Sequence, residues 1–176
     1  MHHLIETERL FIRQLDLSDA TFMLELVNTP AWLQYIGDRN LHSIEDAERY
    51  LTNGVLKSYA DNGFGGWLVV LKESGLSVGM CGLFQRAYLP APDLGFAFLP
   101  DQAGKGYAYE AATATLAYIK QQFNYLDTLY AITIPENSRS VRLLEKCHFK
   151  CISTLKPPGE DTDLKLFMLN MRNQLP

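Results

Sequence analysis

Between Leu99 and Ala111 the chain reads Leu-Pro-Asp-Gln-Ala-Gly-Lys-Gly-Tyr-Ala-Tyr-Glu-Ala, where an apolar strand stops and an Ala-rich helix starts across two closely spaced glycines. Glycine accepts positive φ and lets a ligand or a second backbone approach closely. The first turn of a helix carries unpaired N–H groups and the positive end of its dipole. A strand, a glycine turn and a helix start therefore form a natural anion site, suited above all to a phosphate. Lys105 adds a charge at its mouth. The same pattern also fits a helix start that uses glycine only for close packing, and the residues alone leave both readings open. Two familiar phosphate loops do not fit. The P-loop needs Ser or Thr after its Gly-Lys and an earlier glycine, but these positions hold Gly106 and Leu99. The dinucleotide fingerprint needs a third glycine where the chain has Tyr109.

The length of 176 residues, with 47% hydrophobic and 20% charged, predicts one globular domain over 1–176. A net charge of −4 and a pI near 5.5 argue against a general nucleic-acid binder, which needs a basic face. Cys81, Cys147 and Cys151 have neither the even count of a disulfide framework nor zinc-ligand spacing. They read as small apolar residues of a reducing compartment, with no metal expected. Met1-His2-His3-Leu4-Ile5-Glu6 lacks the apolar stretch of a signal peptide, and no segment has the roughly 20 apolar residues of a membrane span. A cytoplasmic protein with no membrane partner is expected.

Periodicity gives the element order. Residues 9–14 alternate as a strand. Ser18 is expected to open a helix with Asp19 in its first turn, and Ser43 a second helix with Asp46 completing a capping box. Residues 67–72 and 77–85 form a hairpin across Glu73-Ser74-Gly75. Residues 93–99 form a short strand ended by Pro100. The helix over 106–123 puts Ala108, Ala112, Thr115, Ile119 and Phe123 on one face. A strand at 129–134, a helix at 137–147 with Val141 and Leu144 inward, and strands at 149–155 and 164–171 complete the chain. Several strands follow one another without a helix. The fold class is therefore α/β of the α+β type, one mixed sheet with helices on both faces.

Gly104-Lys105-Gly106-Tyr107-Ala108-x-Glu110-Ala111 resembles the acetyl-CoA pyrophosphate loop of the GNAT N-acetyltransferase superfamily. More narrowly it resembles the RimJ/RimL-like branch, named for acetylation of ribosomal-protein N-termini. Thr7-Glu8-Arg9-Leu10-x-Ile12-Arg13, Gly79-x-x-Gly82-Leu83, Leu94-Gly95-Phe96 with Leu99-Pro100, and Asn137-x-x-Ser140-x-x-Leu143-Leu144-Glu145-Lys146-x-x-Phe149 are similar to that branch in the same order. Two positions depart from the pattern. The usual Gln or Arg opening the loop falls on Ala103, with Gln102 one residue early, and the usual Gly before Phe149 is His148. A left-handed helix cap accommodates His148.

The resemblance implies a mostly antiparallel sheet of six to seven strands, splayed between the fourth (93–99) and fifth (129–134). The pantetheine arm would lie in that splay against the backbone of Phe96, Ala97, Phe98 and Leu99. The amides of Gly104, Lys105, Gly106, Tyr107 and Ala108 would hold the pyrophosphate, and Asn137 and Ser140 the pantetheine or acetyl end. Asn137 reads equally as an N-cap. The implied reaction is direct attack of a primary amine on the acetyl-CoA thioester in a ternary complex. The candidate base is Asp93, which also reads as a turn residue beside Pro90 and Pro92. A strand-four amide is the natural oxyanion donor. The Tyr that some relatives carry as the acid falls on Leu144, so Ser140, Tyr107 or a water is the candidate acid, or the thiolate leaves unaided. Glu110 reads as a partner for the helix dipole or for an N–H group. Trp32, Tyr35, Arg86 and Tyr88 are candidates to line the acceptor pocket. The acceptor is an amine, either a protein N-terminus or a small molecule such as a polyamine or antibiotic. A non-catalytic acyl-CoA-binding module and a monomer or homodimer, the latter paired through the final strands, are further expectations.

Overall fold

A computed structural model of the chain describes residues 3–172; the ends of the expected 1–176 domain, 1–2 and 173–176, lie outside the described residues. Eight strands form one sheet: β1 (Ile5–Glu6), β2 (Leu10–Gln14), β3 (Gly66–Leu71), β4 (Ser77–Phe84), β5 (Asp93–Phe98), β6 (Thr128–Thr133), β7 (Lys150–Leu155) and β8 (Leu164–Asn170). Their spatial order is β1-β2-β3-β4-β5-β6-β8-β7. Neighbours are antiparallel except β5 and β6, which run parallel. Six helices accompany them: α1 (Ala20–Val27), α2 (Pro30–Tyr35), α3 (Ile44–Leu51), α4 (Lys57–Asn62), α5 (Tyr107–Gln122) and α6 (Ser138–Lys146). The mixed, mostly antiparallel class is as expected. The count of eight exceeds six to seven because β1 adds a two-residue rung, Ile5 opposite Ile12 and Glu6 opposite Phe11.

Strand side chains alternate between the two faces, and each face has its own core. Trp67, Val69, Cys81 and Leu83 pack with Ala111, Ala112, Leu116 and Ile119 of α5 and Leu144 of α6. Leu68 and Met80 point the other way, against Met23, Leu26, Trp32, Ala47 and Leu51 from α1, α2 and α3. Ala111 and Ala112 are fully buried, so α5 sits close on the sheet. At Gly82 a Cβ would lie 2.2 Å from the Gly65 carbonyl oxygen, which restricts the site to glycine.

Helix ends follow local hydrogen bonding. The Ser43 hydroxyl accepts from Asp46 N at 3.1 Å and the Asp46 carboxylate accepts from Ser43 N at 3.0 Å, the expected capping box. The start expected at Ser18 differs. Asp16 is the cap, accepting from Ser18 N at 2.8 Å, and a 3-10 turn over Leu17–Asp19 precedes α1. Asp and Ser cap about equally well. Here Asp19 fixes the choice: its buried carboxylate takes Asp16 N at 2.9 Å and the Arg13 guanidinium at 2.7 Å, tying the cap to β2.

At the end of α6, His148 has φ +66°. Its N–H donates to the Glu145 carbonyl and that of Phe149 to the Leu144 carbonyl, both at 3.0 Å, while Leu144 and Phe149 are buried. This is a left-handed cap in a position that favours glycine. Left-handed backbone costs a non-glycine residue about 1–2 kcal/mol, and glycine loses about 0.4–1 kcal/mol more on folding. His148→Gly should therefore gain roughly 0.5–1 kcal/mol in denaturant unfolding; a loss of stability would show that the histidine side chain has a favourable contact of its own.

Candidate active site

β5 and β6 are paired at a single level, Asp93 opposite Tyr130, with Tyr130 N donating to the Pro92 carbonyl at 3.0 Å. Beyond that level the two strands part. On the other edge of β5, Leu99 N donates to the Val78 carbonyl at 2.9 Å. Backbone groups alternate in direction along a strand, so odd-numbered residues of β5 address β4 and even-numbered ones address β6. The N–H and C=O of Phe96 and Phe98 consequently face the gap, while those of Ala97 and Leu99 face β4. Such a half-used strand edge accepts an extended ligand as an added strand.

The glycine turn closes the wide end of this wedge. After the 3-10 turn Pro100–Gln102 come Ala103, Gly104 with φ +80°, Lys105 and Gly106 with φ +84°. No side chain caps α5, and Glu110 N to the Gly106 carbonyl, 3.1 Å, is its first turn of bonding. The amides of Tyr107, Ala108 and Tyr109 precede it and lack helical acceptors. The turn is exposed, and a Cβ at Gly104 would meet nothing within 4 Å. Lys105 Nζ donates to Gln102 Oε1 at 3.0 Å. An uncapped, open helix start fits a phosphate group.

From outside, the turn and the start of α5 are held by two residues that lie 96 to 103 positions earlier in the chain. The Thr7 hydroxyl donates to Glu110 Oε1 at 2.6 Å, and Arg9 donates its backbone N–H to the same oxygen at 2.9 Å. Arg9 Nε donates to Glu110 Oε2 at 2.6 Å, and another guanidinium nitrogen donates to the Lys105 carbonyl at 2.9 Å. The guanidinium lies 4.7 Å from the centre of the Tyr107 ring. Burial works to raise the Glu110 pKa, but the hydrogen bonds from Thr7 and Arg9 and the Arg9 charge outweigh it and hold it below the usual range. Glu110 is thus an N–H partner, but for Arg9 in the turn between β1 and β2 rather than for its own helix.

Asn137 caps α6, accepting from Ser140 N at 3.1 Å, and it also lines a cleft of about 360 Å³. Pro30, Ala31, Gln34 and Tyr35 of α2, Pro100, Ser138 and Arg139 complete the lining. Pro100 is seven residues beyond Asp93, so Asn137 and Asp93 lie toward opposite ends of the wedge. Of the expected acceptor residues, Tyr35 lines this cleft; Trp32 belongs to the core at 6% exposure. Leu144 is buried at 1%, so no hydroxyl occupies that position.

Asp93 is 1% exposed at the closed end. Arg86 Nε donates to both its oxygens, at 2.9 and 3.0 Å. Burial raises the Asp93 pKa more than Arg86 lowers it, leaving it at about 6. The Cys81 and Cys147 thiols are pushed up by burial, to about 12 and about 11, so neither is a ready nucleophile near pH 7. Among the described residues, no group of three or more His, Cys, Asp or Glu is placed to hold a metal ion, and no helix is long and apolar enough to cross a membrane.

The family profile of the acetyltransferase (GNAT) domain matches residues 9–150. The uncharacterized N-acetyltransferase YnaD of Bacillus subtilis is 29% identical over 81% of this chain and 79% of its own length. Among solved structures, a GNAT-family acetyltransferase from Bacillus anthracis aligns with TM-score 0.79 and 25% identity, over 96% of this chain and 99% of that one. The fold is shared more distantly with spermidine N-acetyltransferase from Vibrio cholerae in complex with CoA and spermine, at TM-score 0.77, 22% identity and coverage of 94% and 98%. It is shared too with ribosomal-protein-S5-alanine acetyltransferase from Vibrio fischeri, at TM-score 0.73, 19% identity and coverage of 97% and 98%.

The Asp93 environment has a thermodynamic consequence. Its folded pKa, about 6, lies above the model-compound value of 3.8. The fold thus favours the protonated acid: that stability is fully present below about 3.8 and is lost as pH rises through about 6. Between pH 4 and 8 the protein should lose on the order of 3 kcal/mol relative to an Asp93→Asn variant. Urea unfolding of both proteins at several pH values measures this; a difference that does not move with pH would contradict the desolvated carboxylate.

Proposed function

The chain belongs to the GNAT acetyltransferase family, and from that membership we propose that this N-acetyltransferase, of the RimJ/RimL-like branch, acetylates protein N-terminal α-amines from acetyl-CoA. The parting of β5 from β6 carries the reading: it leaves the Phe96 and Phe98 backbone groups without strand partners, beside an uncapped helix start. The amides of the glycine turn would bind the pyrophosphate of the substrate. The pantetheine arm would add along β5, with Asn137 at the wide end and the acetyl group toward Asp93. Phe96 N–H, the first unpaired amide past the Asp93–Tyr130 level, is our candidate donor to the tetrahedral oxyanion. Asp93, reached through a water, is the candidate base, and Ser140 the candidate donor to the leaving thiolate.

The proton-transfer cost favours an α-amine over a polyamine. A base near pKa 6 takes a proton from an α-ammonium near 7.8 at a cost of about 2–3 kcal/mol, against about 6 kcal/mol from an amine near 10.4. The spermidine-acetylating neighbour shares the fold, which does not transfer its substrate.

Release of free thiol from acetyl-CoA should be followed with a peptide bearing a free N-terminus, the same peptide blocked, and spermidine. Turnover confined to the free peptide supports the reading, and a preference for spermidine refutes it. With the peptide, kcat/KM should fall below an apparent pKa of about 6, as Asp93 protonates. Asp93→Asn should remove that limb together with most of the activity. Arg86→Met, which removes a group that lowers the Asp93 pKa, should move the limb to higher pH.

A further inference from the structure

We propose that Arg9 is a positioning residue for the pyrophosphate turn, fixing the orientation of one peptide plane and neutralising a carboxylate, Glu110, that would compete with the phosphates. The inference rests on the reading that the turn binds the pyrophosphate of acetyl-CoA. The Lys105–Gly106 peptide is trans, so its C=O and N–H point in opposite directions. Arg9 holds the Lys105 carbonyl on its own side at 2.9 Å. The Gly106 N–H is thereby turned away from the arginine and joins the donors at the start of α5. Without that bond the plane is free to rotate, because glycine at Gly106 tolerates either sign of φ. A rotated plane would present a carbonyl oxygen to the phosphates in place of a donor.

Charge supplies the second half of the argument. Glu110 lies in the first turns of α5, where an anion gains from the same dipole that a phosphate would use. Both its oxygens are taken: Oε1 by the Thr7 hydroxyl and Arg9 N–H, and Oε2 by the Arg9 guanidinium. The pair turns Glu110 toward the turn between β1 and β2 and neutralises it, leaving the helix start to the ligand. All three guanidinium nitrogens of Arg9 already have protein partners, Glu110 or the Lys105 carbonyl. Arg9 therefore acts through the turn rather than as a phosphate ligand. Gly106 admits this contact closely, since a Cβ there would lie 3.3 Å from the guanidinium.

The test compares two acyl donors, acetyl-CoA and S-acetylpantetheine, which has the same thioester arm and no pyrophosphate. Arg9→Met should lower kcat/KM with acetyl-CoA at least tenfold, through KM, and change it less than twofold with S-acetylpantetheine. Arg9→Lys keeps the charge but cannot fork to Glu110 and the Lys105 carbonyl together. It should show the same donor-specific loss, smaller in size, and serves if the methionine variant fails to fold. An equal loss with both donors would reveal a general structural role and overturn the proposal, as would no loss with acetyl-CoA. If the wild-type protein uses both donors equally well, the pyrophosphate reading of the turn itself fails, which is distinguishable from failure of the Arg9 proposal.

Discussion

From Asp93 to Phe98 the chain has two hydrogen-bonding edges, and only the one toward β4 is used along the whole strand. The edge toward β6 is paired at the Asp93–Tyr130 level and then left free. The rest of the site depends on this parting. A strand edge at the centre of a sheet costs free energy when its backbone groups go unpaired, so a fold that keeps one open gains only if something else fills it. The wedge runs toward the turn at 104–106, and that turn leads into an uncapped helix. Backbone donors thus line the path from the closed end to the anion site.

The closed end carries the opposite kind of constraint. Asp93 is nearly inaccessible and shares its carboxylate with Arg86. Desolvation and the neighbouring cation pull its pKa in opposite directions, and burial is the larger influence. The outcome is a carboxylate less acidic than one in water, which suits proton acceptance near neutral pH. A buried acid of this kind makes stability and chemistry draw on the same group, because ionisation in the folded state is what burial opposes.

Much of this was legible in residues that act locally. The glycine turn, the Ser43–Asp46 capping box, the left-handed cap at His148 and the hairpin over Glu73-Ser74-Gly75 each depend on a few adjacent positions, and the structure has them as read. Asp16 rather than Ser18 caps the start before α1 because Arg13 on β2 anchors Asp19, a contact that spacing alone does not reveal. The short β1 is not legible in the sequence because two residues carry no periodicity. The direction of each backbone group on β5 follows from register with two neighbouring strands, not from its own sequence. The Arg9–Glu110 clamp joins positions about a hundred residues apart; Thr7 and Arg9 were visible in the sequence only as part of a strand resembling the family's first. Likewise Pro100, Ser138 and Arg139 meet α2 in one cleft through tertiary packing alone.

The central claim is that this wedge and turn bind acetyl-CoA. Calorimetric titration of the protein with acetyl-CoA, with NAD in parallel and with a Gly106→Glu variant as control, tests it most directly. Gly106 has positive φ and a Cβ there would lie 3.3 Å from the Arg9 guanidinium, so a glutamate would strain the turn, and its negative charge would oppose the phosphates. The account predicts saturable acetyl-CoA binding, no NAD binding, and loss of binding in the variant. No acetyl-CoA binding at millimolar concentration, or undiminished binding by Gly106→Glu, would contradict it.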